Sequence, residues 1–212
     1  MKKFLIILFS FFATTKTIAQ IQIVDLYGSE EYSQNGVYYK DVTNYLNQYI
    51  GTWLYTDGST SLKIKFEKRF FTRNYPNNNT FYIDALVGEY QYINNGVEIF
   101  NTLNNLNISH QSPFDYSIYE FVRLENDPSC THCVVPFQRL LLRYDEPTND
   151  NMTLKGNMGI LTFTENGQTK MWMGYATDYG MGMRIKKGDP DTNASTIELT
   201  LPNGIYIFTK IE

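Results

Sequence analysis

Four acid-glycine or amide-glycine pairs stand between apolar runs: Asp57-Gly58, Asn95-Gly96, Asn166-Gly167 and Asn203-Gly204. Such pairs accept the positive φ that a tight two-residue hairpin demands. The runs flanking them alternate apolar and polar residues. After Gly51, Trp53 and Tyr55 alternate with Thr52, Leu54 and Thr56. Leu62, Ile64 and Phe66 then alternate with Lys63, Lys65 and Glu67. A period of two puts one face in a core and the other in water. A chain with these turns can fold into little but hairpins.

Further strands follow from the same pattern. Phe81 to Ile93 reads as one long strand with a bulge or bend at Gly88, and Asn95-Gly96 returns it into Val97–Phe100. Strands are predicted near Leu106–Ser109, Ser117–Leu124 and Val134–Tyr144, with a hairpin joining Ile160–Thr164 to Lys170–Ala176. A final hairpin joins Thr196–Leu201 to Ile205–Ile211 through Pro202-Asn203-Gly204. The total is roughly nine to eleven strands with short links, an antiparallel barrel or sandwich. The 17 Tyr and 14 Phe fit such half-buried pleated surfaces.

One segment breaks the period. Val42, Tyr45, Leu46, Tyr49 and Ile50 have the spacing of one helical face, with Asp41 placed to cap and Gly51 to end a short N-terminal helix.

The first residues read as an export signal. Lys2 and Lys3 precede an apolar run from Phe4 to Ala13, and Thr17-Ile18-Ala19 supplies small residues at the cleavage positions. The run is too short to span a bilayer, which takes about 20 apolar residues. Residues 1–19 are therefore expected to be a signal peptide, 20–40 a lead-in, and 41–212 one β-domain, secreted or held at the periplasm or cell surface. Loss of Lys2, Lys3 and Lys16 moves the net charge from −4 to −7. That balance excludes nucleic acid as a partner, because phosphate binding takes clustered Lys and Arg. No later segment is long and apolar enough to span a membrane as a helix.

The triplet Gly51-Thr52-Trp53 follows the predicted helix and opens a strand, and the final strand carries Lys210. This order resembles the lipocalin-like barrels. The resemblance implies that Gly51 turns the chain at a barrel floor, Trp53 plugs it, and Lys210 lies across the indole as a cation–π partner. The plainer reading makes Trp53 a core aromatic at a strand start. A ligand cavity, if the interior is hollow, is expected beside Trp53; small barrels are also filled by their own side chains. The segments "YIGTW", "LVGEYQYINNGVEI" and "LPNGIYIFTKI" resemble a domain-of-unknown-function family of secreted flavobacterial proteins. That likeness implies one secreted β-domain. It carries over Gly51, Trp53, Gly88, Gly96 and Pro202 as architecture, and no catalytic residue.

Cys130 and Cys133 are the only cysteines. In an oxidising compartment such a pair is expected to close a small disulfide loop. Redox-active thiols or a metal are the alternatives; a zinc site would need two ligands beyond the cysteines, and His110 and His132 are the only histidines. The pairs Met171/Met173 and Met181/Met183 could present soft sulfur to Cu(I), but paired Met on an inward face is ordinary core packing. No metal site and no cofactor are expected. The dinucleotide, phosphate-loop, nucleophile-elbow and His-Glu-x-x-His signatures are missing, and no catalytic residue is assigned. The sequence thus points to a secreted binding or interaction protein for a small apolar or carbohydrate ligand. A hydrolase of unrecognised type and a structural envelope component are the alternatives.

Overall fold

A computed structural model describes residues 21–28, 33–74, 79–125, 138–147, 153–177, 182–183, 196–197 and 200–212. The fold is mostly β. In chain order the strands are β1 (Gln22–Asp25), β2 (Val37–Lys40), β3 (Gly51–Asp57), β4 (Thr60–Asn74), β5 (Thr80–Asn94), β6 (Val97–Asn101), β7 (Ile118–Glu125) and β8 (Gln138–Pro147). They continue with β9 (Thr153–Glu165), β10 (Gln168–Thr177), β11 (Gly182–Met183), β12 (Thr196–Ile197) and β13 (Gly204–Lys210).

One sheet of 11 strands dominates. Its path runs β1-β2-β5-β4-β3-β13-β10-β9-β8-β7, with β6 beside β5. β7 also pairs with β5, through Val87↔Tyr119 and Gly88↔Ile118. Alternation sets the burial. Leu62, Ile64 and Phe66 of β4, Leu140, Leu142 and Tyr144 of β8, and Met171, Met173 and Tyr175 of β10 all face one core. A smaller apolar cluster lies on the other side of β5, where Ala85 and Val87 pack with Phe71, Leu106, Tyr116 and Tyr119.

The predicted turns divide into two kinds. Asn95-Gly96 and Asn166-Gly167 have positive φ at both residues, the signature of a type I′ hairpin. Gly58 alone is positive in the β3–β4 turn, so that loop is Gly58-Ser59 between paired Asp57 and Thr60. Gly204, by contrast, simply starts a strand. The expected terminal hairpin does not form. Thr196–Ile197 pairs instead with Gly182–Met183 in a separate two-stranded sheet. β13 lies between β10, which pairs with it along Gly204–Thr209, and β3, which pairs with it at Thr209 and Lys210.

Other expectations are corrected. The N-terminal helix is a single 3-10 turn, Tyr45–Gln48. Asn44 precedes it in the left-handed region at φ 56°, and Tyr49 and Trp53 are drawn into the core, so the period cannot propagate as an α-helix. Leu106 lies in another 3-10 turn, Leu103–Asn107, where its side chain fills the smaller cluster. The lead-in contains a strand, β2, and the β1–β2 and β2–β5 pairings are parallel, so the sheet is not wholly antiparallel. Gly88 carries no bulge: the register runs through Phe66↔Gly88 unshifted. A Cβ there would stand 2.6 Å from the Phe66 ring, so Gly88 is a seat for that ring. The irregularity in β5 falls at Tyr92/Ile93, against β6.

Candidate ligand-binding site

The core has two contrasting ends. At the first, Asp41 organises the 3-10 turn. Its carboxylate accepts hydrogen bonds from the backbone N–H of Tyr45 (2.7 Å) and Leu46 (3.1 Å) and from Lys68 Nζ (3.3 Å). Lys68 also donates to Asn47, and Thr162 of β9 donates to Gln48, so the turn is tied to strands on both sides. Leu46, Tyr49 and Trp53 are fully buried beneath it. The indole Nε1 donates to the Tyr49 carbonyl at 2.7 Å. Lys210, paired with Trp53 in register, places Nζ 5.3 Å from the indole ring centre.

Gly51 has a reason that the sequence did not reveal. Its φ is +123°, and a Cβ would stand 2.2 Å from the Glu212 carbonyl oxygen. The C-terminal residues lie directly on this glycine. Thr52 N–H donates to that same oxygen, and Ile211 N–H donates back to the Thr52 carbonyl. The sequence-predicted trio Gly51, Trp53 and Lys210 is therefore brought together, as a sealed and polar-satisfied end.

The other end lies further along the strands. Tyr206 stands four residues before Lys210 on β13, about 13 Å at the usual strand rise. Tyr175 pairs further on, with Gly204. Tyrosines collect here: Tyr90 and Tyr144 ring centres are 4.9 Å apart, Tyr144 and Tyr175 5.3 Å, and Tyr55 and Tyr206 5.0 Å. Gly156, opposite Tyr144 on β9, leaves room for the Tyr175 ring, which a Cβ would meet at 2.8 Å.

The polar atoms of this end are poorly matched. Tyr206 donates to the Pro202 carbonyl at 2.6 Å. The hydroxyls of Tyr90, Tyr144 and Tyr175, all at most 3% exposed, have no hydrogen-bond partner. Tyr90 and Tyr144 perturb each other's proton affinity without reaching bonding geometry. Buried groups of this kind are ordinarily satisfied. Among them stands Glu146, 2% exposed, held among the described residues by Thr200 alone, through its N–H (2.9 Å) and hydroxyl (2.7 Å).

The electrostatics agree with that crowding. Burial, foremost, pushes the Tyr90, Tyr92, Tyr144 and Tyr175 hydroxyls above the ordinary phenol range, and the Glu146 charge pushes each of them further. Burial, with Tyr92 and Tyr55, pushes Tyr206 up to about 12. Among the described residues, the charges that act on these hydroxyls are acidic or phenolic.

The tyrosine end was missed in the sequence, yet it left a trace. Leu140, Leu142, Tyr144 and Glu146 alternate, so Glu146 falls at an inward position where an apolar residue is the norm. The Met171/Met173 pattern likewise continues to Tyr175. Met171 and Met173 are fully buried core residues. His110 sits apart from this end: its Nε2 lies 2.7 Å from Asn105 Oδ1 and its ring stands edge-on to Tyr116. Cys130, His132, Cys133 and Met181 lie outside the described residues, as do residues 1–19, where a signal peptide is expected. Among the described residues no group of three or more acids, His or Cys could hold a metal, and no helix is long and apolar enough to cross a membrane.

A family model described as "Family of unknown function (DUF6705)" matches residues 1–211. No curated protein and no solved structure matches the chain.

Proposed function

From a chain that belongs to this family of unknown function, we propose a secreted, non-catalytic binding protein that holds a small molecule at the tyrosine end of its core. The observation that carries the reading is the set of three buried, unpartnered hydroxyls, Tyr90, Tyr144 and Tyr175, around the Glu146 carboxylate. Leaving one such group unpaired costs about 1–3 kcal/mol. Three together are favoured where a ligand completes them. Apolar walls with a few convergent polar groups are the usual make-up of a small-molecule site.

The finer architecture belongs to the same proposal. The path β5-β4-β3-β13-β10-β9-β8-β7 returns to β5, which supports a closed, lipocalin-like barrel of those strands. Trp53 and Lys210 then form its floor, and the ligand sits at the opposite mouth rather than beside Trp53. Export by the segment 1–19 and a Cys130–Cys133 disulfide complete the reading.

Native mass spectrometry of protein purified from its own host tests it. A retained small molecule, lost with Tyr144→Ala, is the expected result. A bare chain whose tyrosine absorbance is unmoved by the host's small-molecule extract would overturn the reading.

A second reading rests on a different surface. Phe70, 55% exposed, stacks at 5.7 Å and 15° on Tyr82 and meets Tyr38 edge-on. Exposed aromatic faces of this kind suit carbohydrate. Retardation on polysaccharide gels that Phe70→Ala abolishes would favour it.

A further inference from the structure

The tyrosine end has an imbalance of charge that narrows its ligand. Glu146 is buried, and among the described residues its only partners are the N–H and hydroxyl of Thr200. No described residue makes an ion pair with it. A buried carboxylate is normally paired with a cation, because removal from water penalises the lone charge heavily. Asp41, equally buried, has Lys68 at 3.3 Å as well as its backbone donors, whereas Glu89 is met by the Asn105 amide and the Ser117 N–H on one oxygen only; what sets Glu146 apart is the group of unpartnered tyrosine hydroxyls around it.

The surrounding hydroxyls lack partners too. Each can accept through its oxygen, and their rings present π faces that attract a positive charge. Thr200 leaves Oε2 of Glu146 with a single donor. A group that offers several N–H donors and one positive charge would meet all these needs at once. A primary ammonium has three donors and that charge. Behind the polar atoms, Met158 pairs in register with both Tyr175 and Leu142, so an apolar stem has a wall to lie on.

Resting on the binding reading above, we propose that this site takes a primary amine on a small apolar body, its ammonium on Glu146 and the hydroxyl oxygens of Tyr90, Tyr144 and Tyr175. No bond is made or broken; the ligand is held by charge, donors and ring faces. An acidic or phosphorylated ligand is disfavoured, because the charges of described residues that act on these hydroxyls are acidic or phenolic.

Calorimetric titration of the full chain with n-butylamine and with its neutral isostere 1-butanol tests the assignment at pH 7. The amine is expected to bind at least about tenfold more tightly, the equivalent of about 1.4 kcal/mol. In Glu146→Gln, which keeps an acceptor for Thr200, that preference is expected to shrink to about twofold or less. Equal binding of the two probes, a preference that survives Glu146→Gln, or no binding of either overturns the amine. Binding of the alcohol alone overturns the amine while leaving the small-molecule reading intact. The host-purified mass spectrum decides that reading independently. Should Glu146→Gln fail to fold, the comparison of the two probes on the unmutated chain still decides.

Discussion

The two ends of the core bury the same kind of residue and treat its polar atoms in opposite ways. At the first end the Trp53 N–H has a carbonyl, Asp41 has two amides and a lysine, and Thr52 has the C-terminal residue. At the second, three tyrosine hydroxyls and a carboxylate are buried nearly as deeply with almost nothing to bond. Burial therefore does not separate structure from function in this molecule. Satisfaction does. The first end is finished by the chain itself; on the binding proposal, a ligand completes the second.

The largest expected effect comes from alkali. The tyrosines of the second end hold their protons above the ordinary value of 10.0, whereas in the unfolded chain they release them there. Above pH 10 the unfolded state binds fewer protons than the folded one, so stability falls as pH rises, and is unaffected by these groups below it. Tyrosinate absorbance and loss of structure should then appear together as pH climbs from 10 towards 12. Tyrosinate that forms smoothly in a still-folded chain would show that the second end is open to water.

Trp53→Ala comes next. It empties the sealed end and should cost about 3–5 kcal/mol in urea unfolding. A loss below about 1 kcal/mol would mean that Trp53 does not hold that end together.

The sharpest test compares two tyrosines. Tyr206→Phe removes a hydroxyl that donates to Pro202 and strands a carbonyl, at a cost of about 1 kcal/mol. Tyr144→Phe removes a hydroxyl with no partner, so in ligand-free protein it should be neutral or stabilising by up to about 1 kcal/mol. Equal losses in both would erase the contrast between the ends. The smallest effect is Lys210→Gln, which forfeits the approach to the indole for about 0.5–1 kcal/mol.

Much of the fold was visible before the structure. β3, β4, β5, β6, β9 and β10 follow from alternation and from the turns between them, because both are properties of neighbouring residues. Trp53 and Lys210 were legible as a pair by their order along the chain. The failures share a cause. The 3-10 turn at Tyr45–Gln48 has helical spacing, but Asp41 and the core beneath Trp53 limit it to one turn. β2 is too short to show a period. In place of the terminal hairpin, β13 pairs with β10 along Gly204–Thr209 and with β3 at Thr209 and Lys210, while Thr196–Ile197 pairs with Gly182–Met183.

What the residues determine alone is local: which segments extend, where they turn, and which face of each strand is apolar. The physical reason is that φ preferences and the period of two act over a few residues. Tertiary structure decided the rest. Gly51 is a glycine because Glu212 rests on it, and Glu146 is an unpaired charge because of which residues surround it. Both depend on distances between residues far apart in the chain, and those distances exist only once the sheet has formed.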